Sequence, residues 1–319
     1  VYRAIQFVGR FGCEIEPKTF VLLQDMVARG DLETLPPERV TEEFKKLFLK
    51  SAQPSLGLEL ARRLGIIEKY FPELHALIAT EQEHEWHPEG NVWIHSMMVI
   101  DWAAKIIRRP DCTLSDTEKL EVVIGALCHD LGKPATTRIE EGRVRSRGHS
   151  EAGVEPTQIF LDRFTFGSTI NESVLKSCRY HLQPGVLGRS LEQKIFSASV
   201  YRNGVRKLLR KIHPQSWRVL IAVAEADHRG RALAEAEGAY ESGETFARVI
   251  AEHHLDEEVA KPLVSGEDIL RAAEEMGIIL KPGRRIGELI RLVEDLRDHE
   301  DVTTKEEGLE AIREVLGKE

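Results

Sequence analysis

Apolar residues in this chain recur at helical spacing, and the alternating Val-Ile-Thr runs that make half-buried strands are nearly absent. A chain patterned this way buries its apolar surface by packing helix on helix. An all-α fold follows, and 319 residues suffice for two or three domains or one elongated multi-helix array. We expect the elongated array, with a histidine-rich helical domain at its centre. Helices are expected over about 92–107, 118–131, 150–164, 169–181, 192–196, 199–212, 216–228, 285–298 and 304–317. Nearer the start, Pro17 and Pro36-Pro37 suit first helical turns, and Thr41-Glu42-Glu43 resembles a helix start feeding Phe44, Leu47 and Phe48. The polar, glycine-bearing stretch 138–144 is expected to be a loop. The punctuation suggests three segments, 1–83, 84–235 and 236–319.

Composition removes several function classes. No apolar run approaches a membrane span and no signal-peptide pattern opens the chain, so a cytoplasmic protein without a membrane partner is expected. Cys13, Cys112, Cys128 and Cys178 form no CxxC pair, which argues against a zinc ribbon or a disulfide scaffold. A net charge of −9 argues against a generic nucleic-acid coat while leaving room for a local basic face. The first residue is Val1, inside what reads as a helix, and we expect a preceding segment in the natural protein.

The sharpest local feature is Leu127-Cys128-His129-Asp130-Leu131-Gly132-Lys133. An apolar helix from Val122 delivers His129 and Asp130 at its end, and Gly132 is expected in the left-handed position that stops a helix. Imidazole and carboxylate side by side can converge on one divalent ion, given further ligands from elsewhere. His95 sits on a mostly apolar helix, and Asp227 ends another, Val219 to Asp227. A carboxylate at the end of a buried run is expensive unless it is paired or bound to a cation. His95, His129, Asp130 and Asp227 are therefore the expected metal ligands. Two nitrogens and two oxygens suit Mn, Fe, Co, Ni or Zn, with Mg left open. Any one of these residues alone would ordinarily be a surface or hydrogen-bonded core residue; the set together is what points to a metal.

His149 and His181 form a second tier. They could contact a substrate phosphate, protonate a leaving group or help hold a second metal, and solvated loop histidines are the bland alternative. Lys133 could pair with a phosphate oxygen or simply complement the helix end. The roles expected are catalysis for Asp130, Lys133 and His149, and substrate binding for Lys133, His149 and His181. His75, His84, His87, His213, His228, His253, His254 and His299 are read as non-ligands. Tyr201 to Lys211 concentrates cations, and Arg202, Arg206, Lys207, Arg210 and Lys211 are candidate RNA contacts, with Arg284, Arg285 and Arg291 as a second cluster. A solvated helix face explains each cluster equally well.

His95, His129-Asp130 and Asp227, in that order on helices, resemble the HD phosphohydrolase superfamily. Glu85-Trp86-His87-Pro88-Glu89-Gly90-Asn91-Val92-Trp93-Ile94-His95 is similar to the opening of the HD domain in bacterial CCA-adding tRNA nucleotidyltransferases of the poly(A) polymerase family. Ala224 to Arg231 resembles that family's closing aspartate motif, Tyr2 to Glu16 its neck helix, and Gly266 to Leu270 with Lys281 to Gly287 its tail. The resemblance spans nearly the whole chain. It implies a neck and body that help hold tRNA, an HD domain and a C-terminal tail. The glycine-rich strand-turn and paired aspartates of the family's nucleotidyltransferase head are not found in this sequence, so nucleotide addition is not carried by these residues. HD domains of this kind hydrolyse 2′,3′-cyclic phosphates, 2′-nucleotides and simple phosphomonoesters. Two alternatives stand beside this one: a tRNA-binding module whose HD site is structural or vestigial, and a nucleotide-signalling HD hydrolase. A homodimer is left open.

Overall fold

The computed structural model describes residues 1–260, 262–298 and 301–317. Helices carry the fold, as the spacing of apolar residues predicts. In chain order they are α1 (Tyr2–Phe11), α2 (Pro17–Arg29), α3 (Pro37–Lys50), α4 (Pro54–Arg63), α5 (Ile66–Tyr70), α6 (Pro72–Ala76), α7 (Val92–Ile106), α8 (Asp116–Cys128) and α9 (Lys133–Thr136). After strands β1 (Arg138–Glu140) and β2 (Arg143–Arg145) come α10 (His149–Ala152), α11 (Val154–Leu161), α12 (Ser168–Tyr180), α13 (Gln183–Glu192), α14 (Ala198–Ile212) and α15 (Trp217–Arg229). The chain continues through α16 (Glu241–His253), α17 (Leu255–Ala260), α18 (Gly266–Glu275), α19 (Arg284–Asp298) and α20 (Lys305–Leu316). His299 lies outside the described residues.

Several expectations are corrected. Residues 138–144 are not a loop. They form an antiparallel hairpin with Ile139 opposite Val144, turned by Glu141 and Gly142, both at positive φ. Two successive left-handed residues make the tight turn whose twist matches paired strands. The helix expected at 192–196 is displaced: α13 ends at Glu192, and Lys194 at positive φ leaves the helical path. The helix expected over 150–164 is interrupted at Gly153, between α10 and α11. Thr41 does not start a helix. It lies inside α3, where its hydroxyl donates to the carbonyl of Pro37 (2.8 Å) and accepts from the backbone of Thr165 (2.9 Å).

Packing divides the chain into two compact units, Val1–Val186 with Gln215–Gly243, and Leu187–Pro214 with Glu244–Glu319. The motif boundary expected after residue 83 marks no break in packing, because α1 to α6 share one core with α7, α8, α12 and α15. An aromatic cluster joins them. Phe44 of α3 packs edge-on against Phe71 (5.6 Å between centroids) and Phe164 (5.0 Å), and Phe71 stacks on Phe164 (5.9 Å). Such pairs add to the area they bury. The second unit has its own core, with Ile269, Leu289, Val293 and Ile312 among its buried residues.

Three helices of the first unit cross closely at Gly125 of α8. A Cβ there would lie 3.0 Å from Val223 of α15 and 3.3 Å from Ser177 of α12. Glu121, one turn earlier, is buried and accepts a hydrogen bond from Ser173 (2.8 Å). Burial raises its pKa, Ser173 opposes the shift and Glu118 adds to it. A carboxyl whose folded pKa lies above its unfolded value contributes stability that is complete below the unfolded pKa and lost as pH rises through the folded one. Glu121→Gln keeps an acceptor for Ser173 without the charge. We expect a higher Tm than the parent at pH 7, with the difference closing below about pH 4; an equal or lower Tm at pH 7 would contradict it.

Candidate metal centre

His95, His129, Asp130 and Asp227 arrive inside or at the end of helices that are buried on most sides. Asn91 caps α7 by accepting from the backbone N–H of Ile94 (3.0 Å), and His95 follows one turn in, fully buried. The capping box of Ser115 and Glu118 opens α8. Its buried run, Leu120 to Leu127, carries His129 and Asp130 into the interior. On α15, Glu225 accepts two hydrogen bonds from Arg109 (2.6 and 3.0 Å) and one from Arg229 (2.7 Å), which fixes the helix end that bears Asp227.

Gly132 corrects an expectation. Its φ is −86°, so it is not a left-handed helix stop. Its missing side chain serves a close approach instead. A Cβ at Gly132 would collide with the carbonyl oxygen of His149 and lie 2.5 Å from the backbone nitrogen of Gly153. The absence of a side chain at Gly132 thus lets the His149 turn lie against the end of α8.

The four expected ligands meet. His95 Nε2 is 3.2 Å from Asp227 Oδ1 and 3.8 Å from Asp130 Oδ2. His129 Nε2 is 3.1 Å from Asp130 Oδ2 and 3.8 Å from Asp227 Oδ1. The second tier joins them. His149 Nε2 lies 3.3 Å from Asp130 Oδ1, and Lys133 Nζ lies 2.7 Å from Asp130 Oδ2. The His181 ring packs against those of His129 (5.1 Å) and His149 (5.5 Å). His95, His129 and Asp130 form one triad with ligand atoms mutually within 4.8 Å, and Asp130, His149 and His181 form another.

Proton placement follows from the partners. His129, His149 and His181 direct Nδ1 at the carbonyl oxygens of Ala126 (2.8 Å), Ser146 (2.7 Å) and Cys178 (2.8 Å). A carbonyl oxygen only accepts, so Nδ1 donates. His95 Nδ1 donates to Glu89 Oε1 (2.8 Å) in the same way. The Nε2 atoms of His129, His149 and His181 are buried and have no hydrogen-bond partner. Buried polar atoms are rarely left so. Imidazole lone pairs beside two carboxylates, with Nδ1–H committed outward, fit a divalent cation.

Without an ion, positive charge on the cluster's own nitrogens compensates the two carboxylates. Burial works against the charge on Asp130, but His129 and Lys133 hold its pKa well below the usual carboxylate range. For Asp227, burial is likewise overcome, by His95 and His129. Burial and then the neighbouring His129 push His181 down to about 3, so its ring is neutral. For His95, burial opposes the charged form, but hydrogen bonds to Asp227 and Glu89 raise the pKa.

Sequence reasoning missed three residues. Glu89, brought down to about 2 against burial by hydrogen bonds from His87 and His95, stands directly behind His95. His87, read as a non-ligand, shares that carboxylate at 2.8 Å. Gln82 accepts from Lys133 (2.6 Å) and donates to the carbonyl of Gly90 (3.2 Å). The available signal was a polar, Pro- and Gly-punctuated stretch immediately before a capped helix.

The cations of α14 lie in the second unit, while the histidine cluster lies in the first. Arg210 ion-pairs with Glu294 (3.2 Å) and Arg206 donates to Asn203 (2.6 Å). Arg202, Arg206, Lys207 and Arg210 are half-buried, and Lys211 is exposed. In the other cluster, Arg284 and Arg285 both pair with Glu288. Arg206, Arg284 and Arg285 thus pair within their own helices, and Arg210 bridges α14 to α19.

Two family models match the chain. One, described as "Probable RNA and SrmB- binding site of polymerase A", covers residues 12–78, and the HD domain covers residues 92–202. A multifunctional CCA protein of Xanthomonas campestris pv. campestris (strain B100) is 34% identical over 254 residues, covering 79% of this chain and 57% of that protein. The chain belongs to the multifunctional CCA protein family. A Xylella fastidiosa (strain M12) member is 30% identical over 256 residues, covering 79% of this chain and 56% of its own length. The chain thus spans little more than half the length of these relatives. The HD match ends at residue 202, so Asp227 enters the site through the fold. No helix among the described residues is long and apolar enough to cross a membrane. The RNA-binding match falls on α2 to α6 and excludes the α14 cations.

Gly132→Ala is expected to lower the Tm through overpacking of about 1–3 kcal/mol and to weaken divalent-metal binding as the His149 turn is displaced. Calorimetry and metal titration check both; a parent-like Tm would mean that the turn yields freely.

Proposed function

We propose that the His95–His129–Asp130–Asp227 centre is a metal-dependent phosphohydrolase site. The observation that carries the reading is the set of outward-donating histidines whose Nε2 atoms converge with the carboxylates of Asp130 and Asp227. A divalent ion held there supplies Lewis acidity toward a water and a phosphoryl oxygen.

The chain's own residues do the rest. Asp130, within 3.3 Å of both His129 and His149, is placed to accept a proton from the attacking water. Lys133, anchored on Asp130 and Gln82, offers an ammonium to a phosphate oxygen. The proton that Asp130 takes from the water passes to the bare Nε2 of His149, 3.3 Å from Asp130 Oδ1, and from there to the leaving oxygen. His181, expected to bind substrate, is neutral and offers only a bare Nε2, which suits a cation beside Asp130 better than a phosphoryl oxygen. The substrates are phosphomonoesters, 2′,3′-cyclic phosphates or 2′-nucleotides. By motif, 1–83 serves as neck and body, 84–235 as the hydrolase and 236–319 as tail.

A screen of these phosphoesters with Mn, Co, Ni, Zn and Mg should find activity that EDTA abolishes and one metal restores. Asp130→Ala should lose more than about 100-fold, since loss of outer partners alone costs 10–100-fold. Hydrolysis that survives EDTA, or an active Asp130→Ala protein, overturns the reading.

The match over residues 12–78 favours a second, compatible role, holding tRNA. Titration at low salt should show tRNA binding whose affinity falls steeply as salt rises. No binding at low salt removes it for this chain.

A further inference from the structure

Glu89 faces the ion site from behind. Its Oε1 accepts from Nδ1 of His95 and from Nδ1 of His87, both at 2.8 Å, while its side chain is 2% exposed. The His87 and His95 rings meet edge to face, 4.8 Å apart. The ligand atoms of His87, Glu89 and His95 lie close enough together to suggest a metal triad of their own. Those atoms are already joined by N–H···O bonds, and Nε2 of His95 points the other way, toward Asp227. The group is therefore a hydrogen-bonded support for His95.

We propose that Glu89 is a positioning residue: its carboxylate holds His95 in the Nδ1–H form, so that a bare Nε2 is presented to the ion, and its charge strengthens that nitrogen as a ligand. The inference rests on the metal reading above, and its test separates the two.

Three observations support it. First, the carboxylate is held by its backbone. Gly90 has φ +125°, its carbonyl accepts from Gln82, and Asn91 caps α7 while donating to the carbonyl of Ile78 (2.9 Å). Glu89 is thus fixed two residues before the N-cap of α7. Second, Glu89 Oε2 is buried without a hydrogen-bond partner. An anion with one oxygen so placed is costly to bury unless positive charge lies close by. A cation on Nε2 would polarise the imidazole, draw its Nδ1–H toward Glu89 and offset that charge through the ring. Third, His95 differs from its neighbours. His129, His149 and His181 rest on neutral carbonyls, whereas His95 alone of the four rests on a carboxylate. It should be the most basic nitrogen donor of the set.

The test uses the whole chain with Mn²⁺ as probe, in the parent, Glu89→Gln, Glu89→Ala and, as control, Glu85→Gln, an exposed carboxylate on the same loop that pairs with Arg143. Calorimetric titration should show Mn²⁺ binding about 10-fold weaker in Glu89→Gln and up to about 100-fold weaker in Glu89→Ala. Glu85→Gln should bind like the parent. In the metal-free protein, at a pH high enough for the ring to be neutral, ¹⁵N NMR of the imidazoles should find the His95 proton on Nδ1 in the parent and in Glu89→Gln, which keeps an acceptor oxygen. Glu89→Ala should show a substantial Nε2–H fraction. Parent-like affinity in Glu89→Gln overturns the role of charge, and an unchanged tautomer in Glu89→Ala overturns the orienting role. If Glu89→Ala does not fold, the affinity of Glu89→Gln decides. If the parent binds no Mn²⁺, the metal reading fails, and the tautomer comparison alone decides for Glu89.

Discussion

Acceptors crowded into a buried interior govern this structure. His129, His149 and His181 give their Nδ1 proton to carbonyls, and His95 gives its own to a carboxylate. What remains faces inward: nitrogen lone pairs and two carboxylates within a few ångströms. Lys133 places an ammonium on Asp130, and it also bonds Gln82. Such a concentration of lone pairs repels itself unless a cation stands among them.

Holding that arrangement in place demands a scaffold that does not give. Helices α7, α8 and α15 are buried on most sides, so the ligands they carry can shift only if the core repacks. Gly125 lets α8, α12 and α15 approach closely, and the Arg109–Glu225–Arg229 group secures the end of α15. The aromatic cluster around Phe44 extends the same core into the RNA-binding match, so that match and the HD match up to residue 186 share packing within one unit.

Much of this was legible in the sequence, and the reasons differ by residue. Helical spacing revealed the all-α class because buried helices must repeat their apolar faces. His129-Asp130 stood out because a charged pair at the end of an apolar run needs compensation. Asp227 was readable for the same reason, although it lies beyond the HD match. Glu89, His87 and Gln82 escaped because supporting residues have no spacing rule; only the fold brings them behind a ligand. Gly132 was assigned to backbone conformation when its role is proximity to His149, a contact between elements that local reasoning does not see. The hairpin at 138–145 was missed because its strands are three residues each and largely exposed, without apolar alternation to mark them. On α14, a cation counted along a sequence does not reveal that Glu294 holds Arg210.

Asp227 stands 132 residues from His95, and the stretch 187–214, which packs in the other unit, intervenes before α15 returns to complete the site. During synthesis the histidines and Asp130 therefore emerge well before their last carboxylate. An ion captured early would meet an incomplete shell. One held after α15 docks would tie together segments far apart in the chain, closing a long loop as a covalent crosslink does. Metal loading would then report that the first unit has finished folding, and loss of the ion would loosen α15 first.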